Sequence, residues 1–164
     1  MSEKVVIICL NVSSSERIWE GTNYRQLEHL INIAASTIYD IAHRGYSVGL
    51  YSNGSQAYSD QPSKILPGKS RKQLPALLQS LAGITQFTAA HFETFLFTNA
   101  SRIPNGSTLI IISSIISDQL IEVLTRLHKY HFNTTILYTG EEMMPDFHNI
   151  NVFQIPLQKE NSLK

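Results

Sequence analysis

Two apolar segments of this sequence end in small polar residues whose side chains could bind a ligand. The segments are residues 5–10 (VVIICL) and residues 108–112 (TLIII). The polar residues that follow them are Asn11, Ser13, Ser14 and Ser15 in the first case, and Ser113 and Ser114 in the second. Such hydroxyl and amide groups could hold a metal ion through oxygen, hold an anion beside backbone N–H groups, or cap a turn. The residue types alone leave these three roles open.

Carboxylates, which a hard divalent cation prefers, are absent from both polar runs. The acidic residues that follow these and the neighbouring predicted elements are Glu16, Glu20, Asp118, Glu141 and Glu142. Acidic residues at the starts of loops and helices are commonly caps or solvated charges. The sequence therefore predicts a site made mainly of neutral oxygen atoms.

The periodicity of apolar residues predicts the elements that position these side chains. Strands are predicted at residues 5–10, 47–51, 108–112, 135–138 and 152–155, with a short edge strand at residues 64–66. Helices are predicted from the capping pair Asn23/Gln26 to Gly45, over residues 74–81, over residues 91–97, and from Ser117 or Asp118 through Leu127. Asn53-Gly54 is a predicted turn that ends the second strand.

Strands that alternate with helices predict an α/β fold: a doubly wound, mainly parallel, Rossmann-like sheet with helices on both faces. Residues 1–156 are expected to form one domain, and residues 157–164 a frayed tail. In such sheets, ligands bind at the carboxyl ends of the strands, where the winding reverses. If it reverses between residues 5–10 and residues 108–112, their polar ends become neighbours in one crevice.

The overall composition argues against several classes of partner. The 164 residues contain 13 basic and 13 acidic side chains without a strongly basic cluster, which argues against a nucleic-acid partner. No apolar run approaches the roughly 20 residues that span a bilayer, and residues 1–4 are not a signal peptide. The single cysteine, Cys9, lies in an apolar strand, which indicates a buried thiol in a cytoplasmic protein.

The pattern of the strand ends and the order of the elements resemble a von Willebrand factor A-like domain. The metal-ion-dependent adhesion site of such domains has an Asp-x-Ser-x-Ser motif after the first strand, a Thr on a middle loop and a further Asp after a later core strand. More narrowly, residues 34–36, 43–50, 74–78 and 81–82 resemble the A-like domain of a bacterial, uncharacterised family called domain of unknown function 58. The resemblance covers roughly residues 4–140.

Both acids of the adhesion motif are replaced in this chain. The degenerate site would consist of Asn11, Ser13, Ser15 and Ser114, in which the two serines 13 and 15 match the motif and the other two residues stand in place of acids. Thr85 or Thr88 is the candidate for the site threonine. Neutral oxygen atoms attract a cation much less strongly than two carboxylates do. We therefore expect no cofactor, or at most weak Mg²⁺ or Mn²⁺ binding.

The resemblance implies a non-enzymatic protein-binding or assembly module that works with a MoxR-type AAA+ ATPase. Members of the family usually carry upstream membrane-spanning segments, so the resemblance also suggests an excised domain of a membrane-anchored protein, or a shortened relative. The predicted crevice for a ligand or partner consists of Asn11, Ser13, Ser14, Ser15, Trp19, Thr88, Ser113, Ser114 and Glu141. Tyr24 and Met143-Met144-Pro145 would extend a partner surface around it.

The alternative is a small-molecule or phosphate-binding protein, or a hydrolase, that uses the same crevice. A serine nucleophile needs a base within hydrogen-bond reach, and His148 is the best placed of the six histidines. The sequence lacks the glycine-rich and lysine motifs of nucleotide-binding loops. A structural subunit of an oligomer is a third class that the sequence leaves open.

Overall fold

The computed structural model describes residues 3–15, 23–144, 147 and 149–158. Its strands are β1 (Val5–Leu10), β2 (Ser47–Gln56), β3 (Pro62–Gly68), β4 (Ile84–Thr88), β5 (Thr108–Ser113), β6 (Asn133–Tyr138) and β7 (Asn151–Gln154). Its α-helices are α1 (Tyr24–His43), α2 (Gln73–Gly83), α3 (Phe92–Ala100) and α4 (Asp118–Leu127), and a 3-10 helix at His128–Tyr130 follows α4.

The strands form a mainly parallel sheet in the order β3-β2-β1-β5-β6-β7, with β4 pairing to β2 off this path. Strand β1 pairs in parallel with β2 on one side and with β5 on the other, and β6 and β7 continue in parallel beyond β5. Strand β3 pairs antiparallel with β2 and forms the predicted edge. The winding therefore reverses at β1. The doubly wound α/β fold is confirmed, and the expected ligand-binding position falls at the carboxyl end of β1.

Two hydrophobic clusters cover the two faces of the sheet. Side chains of β1 alternate between them: Ile8 and Leu10 pack with α1 and α2, whereas Ile7 and Cys9 pack with α3 and α4. All four side chains are fully buried. Burial raises the pKa of the Cys9 thiol to about 12, so Cys9 is a neutral core side chain, as predicted. Because β1 is packed on both faces, it holds Asn11 in a fixed position at the carboxyl edge.

Helix α1 begins at the carboxyl edge of the sheet, as predicted. Asn23 caps it, since its Oδ1 accepts a hydrogen bond from the backbone N of Gln26 at 2.7 Å. The Gln26 side chain does not complete a capping box but donates to Thr139 Oγ1 at 2.6 Å. The backbone N of Thr139 in turn donates to the carbonyl of Ser113 at 2.9 Å. These contacts tie the start of α1 to the ends of β5 and β6.

Strand β2 is longer than predicted. Asn53-Gly54, which the sequence indicates as a turn, lies within β2. The extended part of β2 pairs antiparallel with β4 through Gly54 and Thr88, and the apolar periodicity did not predict β4. A Cβ atom at Gly54 would lie 2.7 Å from Ile84 Cγ2 and 3.0 Å from Val12 Cγ1. The glycine therefore permits close packing between strands, and the predicted turn is wrong.

The remaining differences concern the bounds of elements. Strand β3 has seven residues rather than the three predicted, and α3 continues to Ala100. Within the described ranges, no helix is long and apolar enough to cross a membrane. Leu157 and Gln158 follow β7 without regular structure. The domain boundary at residue 156 stays a prediction.

Candidate functional site

The polar ends of β1 and β5 lie side by side, as the sequence predicted. The backbone N of Asn11 donates to the carbonyl of Ile112 at 2.9 Å, which continues the ladder between the two strands by one residue. The Asn11 side chain then donates from Nδ2 to Ser113 Oγ at 3.1 Å. Ser113 Oγ donates its own proton to the carbonyl of Ile115 at 2.6 Å. The hydroxyl of Ser113 therefore acts as an acceptor toward Asn11.

The side-chain oxygen of Asn11 is fully engaged inside the protein. Asn11 is 2% exposed, and its Oδ1 accepts from the backbone N of Ser13 and from Nδ2 of Asn53, both at 3.0 Å. A backbone N–H can only donate, so the bond from Ser13 fixes which end of the Asn11 amide is oxygen. A carbonyl-type oxygen has two lone pairs, and both are used here.

Asn53 makes the largest number of hydrogen bonds at this strand end, although the Asn-Gly pair predicted a turn at this position. It is completely buried, and its Oδ1 accepts from the backbone N of Val12 at 2.9 Å. Its Nδ2 donates to Asn11 Oδ1, to Ser13 Oγ at 3.1 Å and to the carbonyl of Ala90 at 3.3 Å. The available signal was the one that identified Asn11, namely a polar residue directly after a buried strand segment. The Asn-Gly turn propensity outweighed that signal.

Two crevices, rather than the single predicted one, flank the ends of β1 and β5. The first has a volume of about 300 Å³ and is lined by Asn11, Ser13, Ser15, His91, Phe92, Glu93, Ile115, Ser117, Asp118 and Gln119. The second, of about 310 Å³, is lined by Ser14, Asn23, Arg25, Gln26, Ser114, Thr139, Gly140, Glu141, Leu157 and Gln158. Three of the predicted crevice residues line each crevice, whereas Thr88 and Ser113 line neither.

The first crevice contains two carboxylates, from the first turns of α3 and α4. Glu93 was not predicted, whereas Asp118 was among the acids noted nearby. Ser117 connects the two helix starts, because its Oγ donates to Glu93 Oε1 at 2.6 Å and accepts from the backbone N of Leu120 at 3.0 Å. His91 also lines this crevice. The preference for His148 stays a prediction, because His148 lies outside the described residues.

The other predicted site residues have varied positions. Ser113 is completely buried, and Ser114 Oγ donates to the carbonyl of Ser13 at 3.4 Å. Thr88 ends β4, where it pairs with Gly54. Thr85 Oγ1 lies 3.0 Å from Ser55 Oγ. The predicted residues that lie outside the described residues are Glu16, Trp19, Glu20, Pro145 and His148.

The oxygen atoms at the β1 end fit an internal hydrogen-bond network better than the coordination shell of a divalent cation. Asn11 Oδ1 has no lone pair left, and Ser13 Oγ accepts from Asn53. A hard cation of this kind takes six or more oxygen ligands, usually including carboxylates. Among the residues that the structure describes, no group of three or more His, Cys, Asp or Glu side chains could share a metal ion.

Several solved structures, including the following three, share the fold of this chain, whereas no protein family model and no curated protein matches it. The VWA domain of SpRpn10 is 13% identical, with a TM-score of 0.60 over 97% of this chain and 91% of that chain. An aerotolerance-related membrane protein from Bacteroides fragilis NCTC 9343, with multiple mutations to serines, is 14% identical, with a TM-score of 0.56 over 94% and 82%. A von Willebrand factor type A structure from Catenulispora acidiphila is 12% identical, with a TM-score of 0.53 over 86% and 34%.

These similarities define the class of fold. The chain has a von Willebrand factor A-like fold, and the predicted resemblance is confirmed at that level. Identities of 12–14% show the fold alone. What the site does must therefore be argued from its own residues.

Proposed function

We propose that this chain is a non-enzymatic protein-binding module whose partner docks at the carboxyl edge of the sheet, around the ends of β1 and β5. The observation that carries the proposal is the closed hydrogen-bond network of Asn11, Ser13 and Asn53. This network keeps the strand end in one shape and uses the oxygen atoms that a cation would require. The von Willebrand factor A-like fold supports the same class of function.

Metal binding at this edge is absent or weak in this proposal. Asn11 and Ser114 provide neutral oxygen atoms where the adhesion motif has carboxylates, so the Coulomb attraction that offsets the dehydration of a divalent cation is largely lost. The carboxylates of Glu93 and Asp118 line the first crevice, but Glu93 is held by Ser117. We infer that the two acids shape the surface that a partner meets.

The finer identity of the module rests on the sequence resemblance. Similarity to the A-like domain of the domain of unknown function 58 family supports a MoxR-type AAA+ ATPase as the partner. Trp19, which lies outside the described residues, is the proposed aromatic contact. A cytoplasmic location and an upstream membrane anchor belong to the same proposal.

The proposal is tested by measuring the affinity of the chain for a purified MoxR-type ATPase of the same organism, in EDTA and in 5 mM Mg²⁺. We expect equal affinity in the two buffers. Asp118→Arg reverses an exposed charge at the first crevice and should weaken binding about tenfold, because a buried interface tolerates wrong-sign charges poorly.

The matched control is Asp40→Arg, which makes the same change on an exposed site near the end of α1, at the opposite edge of the sheet. It should leave the affinity unchanged. Equal effects of the two variants, or loss of wild-type binding in EDTA, would contradict the proposed surface.

One observation favours a second candidate, a hydrolase or small-molecule site in the first crevice. His91 lines the same crevice as Ser13 and Ser15, so a base and two hydroxyls share one cavity of about 300 Å³. The negative charges of Glu93 and Asp118 disfavour phosphate as the ligand. Hydrolysis of p-nitrophenyl acetate that His91→Ala and one serine variant each abolish would support this candidate. A rate equal to that of buffer would favour docking.

A further inference from the structure

We infer that the Asn53 side-chain amide takes the place of a cation at the end of β1, and that it makes this docking edge independent of metal ions. This inference rests on the proposed function and identifies Asn53 as the residue that makes docking independent of metal ions. Three oxygen atoms surround Asn53 Nδ2: Asn11 Oδ1 at 3.0 Å, Ser13 Oγ at 3.1 Å and the carbonyl of Ala90 at 3.3 Å. They come from two separate segments of the chain, and the hydrogen bonds from the Asn53 NH₂ group hold these segments together.

The orientation of the Asn53 amide follows from its other contact. The backbone N–H of Val12 donates to one end of the amide at 2.9 Å, and that end must therefore be the oxygen. The NH₂ group consequently faces the three oxygen atoms. An NH₂ group has two protons, so at least one of them is shared between two acceptors.

Asn53 also connects the strand ends to the wall of the first crevice. The backbone carbonyl of Asn53 accepts a hydrogen bond from the backbone N of Ala89 at 2.8 Å, and its side-chain Nδ2 donates to the backbone carbonyl of Ala90. The next residue, His91, is the N-cap residue directly before α3 and lines the crevice. The single buried amide thus fixes the spacing between the β1 end and the start of α3, and no bound ion is required for it.

Asn53→Asp would convert this arrangement into a cation site. A carboxylate of the same size would remove the NH₂ donor and free a lone pair on Asn11 and on Ser13. The buried charge would then face three neutral oxygen atoms, which is a donor set suited to Mg²⁺, Mn²⁺ or Ca²⁺ once waters complete the shell. Without a cation, the same buried charge is unpaired and destabilises the fold.

The experiment compares Mn²⁺ binding by isothermal titration and the thermal unfolding midpoint for chelator-stripped wild type, Asn53→Asp and Asn105→Asp. Asn105 is exposed in the turn before β5, at the opposite edge of the sheet. Asn105→Asp therefore adds the same negative charge at a position far from the β1 end. We expect Asn53→Asp to unfold at a lower temperature than wild type and to recover about 5–10 °C in saturating Mn²⁺. Wild type and Asn105→Asp should show no saturable binding.

The outcomes separate this inference from the proposed function. A folded Asn53→Asp without a Mn²⁺ response would overturn the role assigned to Asn53 and leave the docking proposal standing. Saturable Mn²⁺ binding by wild type would overturn both the inference and the metal-free part of the proposal. If Asn53→Asp does not fold in EDTA, its circular dichroism spectrum is measured in saturating Mn²⁺. Recovery of the folded spectrum supports the inference, and an unfolded spectrum in both buffers overturns it.

Discussion

Asn53 Nδ2 lies 3.0 Å from Asn11 Oδ1 and joins strand β2 to the carboxyl end of β1 through a buried amide pair. Neither side chain is more than 2% exposed. Because each amide is oriented by a backbone N–H, from Ser13 in one case and Val12 in the other, the pair has one consistent set of donors and acceptors. Buried polar networks with every member satisfied fix a single local structure.

Asn11→Asp should destabilise the fold in the absence of metal ions. The change replaces the Nδ2 donor to Ser113 with an oxygen and buries a negative charge at a position that is 2% exposed. We expect the free energy of unfolding in EDTA at pH 7 to fall by about 2 kcal/mol. Urea denaturation measures this difference. Exposed Asn105→Asp should change the value by less than about 0.5 kcal/mol, and equal stability of the two variants would refute the network.

Ser117→Ala should weaken the start of α4. The hydroxyl caps the helix through the backbone N of Leu120 and also holds Glu93, so its removal should cost about 1 kcal/mol. Thr125→Ala is the matched control on the same helix, because the exposed Thr125 hydroxyl donates only to the carbonyl of Ile121. Guanidinium denaturation should show a loss for the first variant and a change within about 0.5 kcal/mol for the second. A reversed order would show that Ser117 is not the cap.

Gly54→Ala should destabilise the contact between β2 and β4. The added Cβ would approach Ile84 Cγ2 to 2.7 Å, and the expected loss is about 1–3 kcal/mol. Ile84→Leu moves the methyl branch away from this position. In a double-mutant cycle the combined loss should therefore be smaller than the sum of the two single losses. Additive losses would mean that the Gly54–Ile84 contact is not responsible.

The stability of the fold should decrease above pH 9 because of Cys9. Burial raises the pKa of the Cys9 thiol from 9.0 to about 12, so the folded chain keeps a proton that the unfolded chain releases. This contribution is complete below pH 9 and is lost by about 1.4 kcal/mol per pH unit between pH 9 and pH 12. Urea midpoints at pH 8, 9 and 10 should fall more steeply for wild type than for Cys9→Ala. Parallel pH profiles would contradict the assignment.

The sheet could be predicted because its central strands are runs of consecutive apolar residues. Strand β1 and the core of β5 stand out in the sequence since both faces of each are covered, and α1 stands out through its cap at Asn23 and the spacing of its apolar residues. Their adjacency followed from the general winding rule for α/β sheets. Strand β4 could not be predicted, because its burial follows no regular alternation, with Ile84 buried and both Gln86 and Phe87 exposed, and because it pairs only with the extension of β2.

The site was predicted only in part for a related reason. Asn11 and the serines could be predicted because they come directly after apolar strands in the sequence. Asn53 could not, because the Asn-Gly pair favours a turn. The conformation of Asn53-Gly54 is set by a tertiary contact rather than by local turn propensity, because Gly54 packs closely against Ile84. Glu93 and His91 lie at the start of a short helix far along the chain. Only the folded structure brings them to the β1 end.

The most direct test of the central claim is the thermal unfolding midpoint of the chelator-stripped wild-type chain, with and without 5 mM Mn²⁺. The internal amide network at Asn11 and Asn53 predicts the same midpoint in both buffers. A ligand present at about 100 times its dissociation constant adds roughly 2.7 kcal/mol to the stability of the folded state. A rise of about 5–10 °C would therefore show a working cation site at the β1 end and would contradict metal-independent docking.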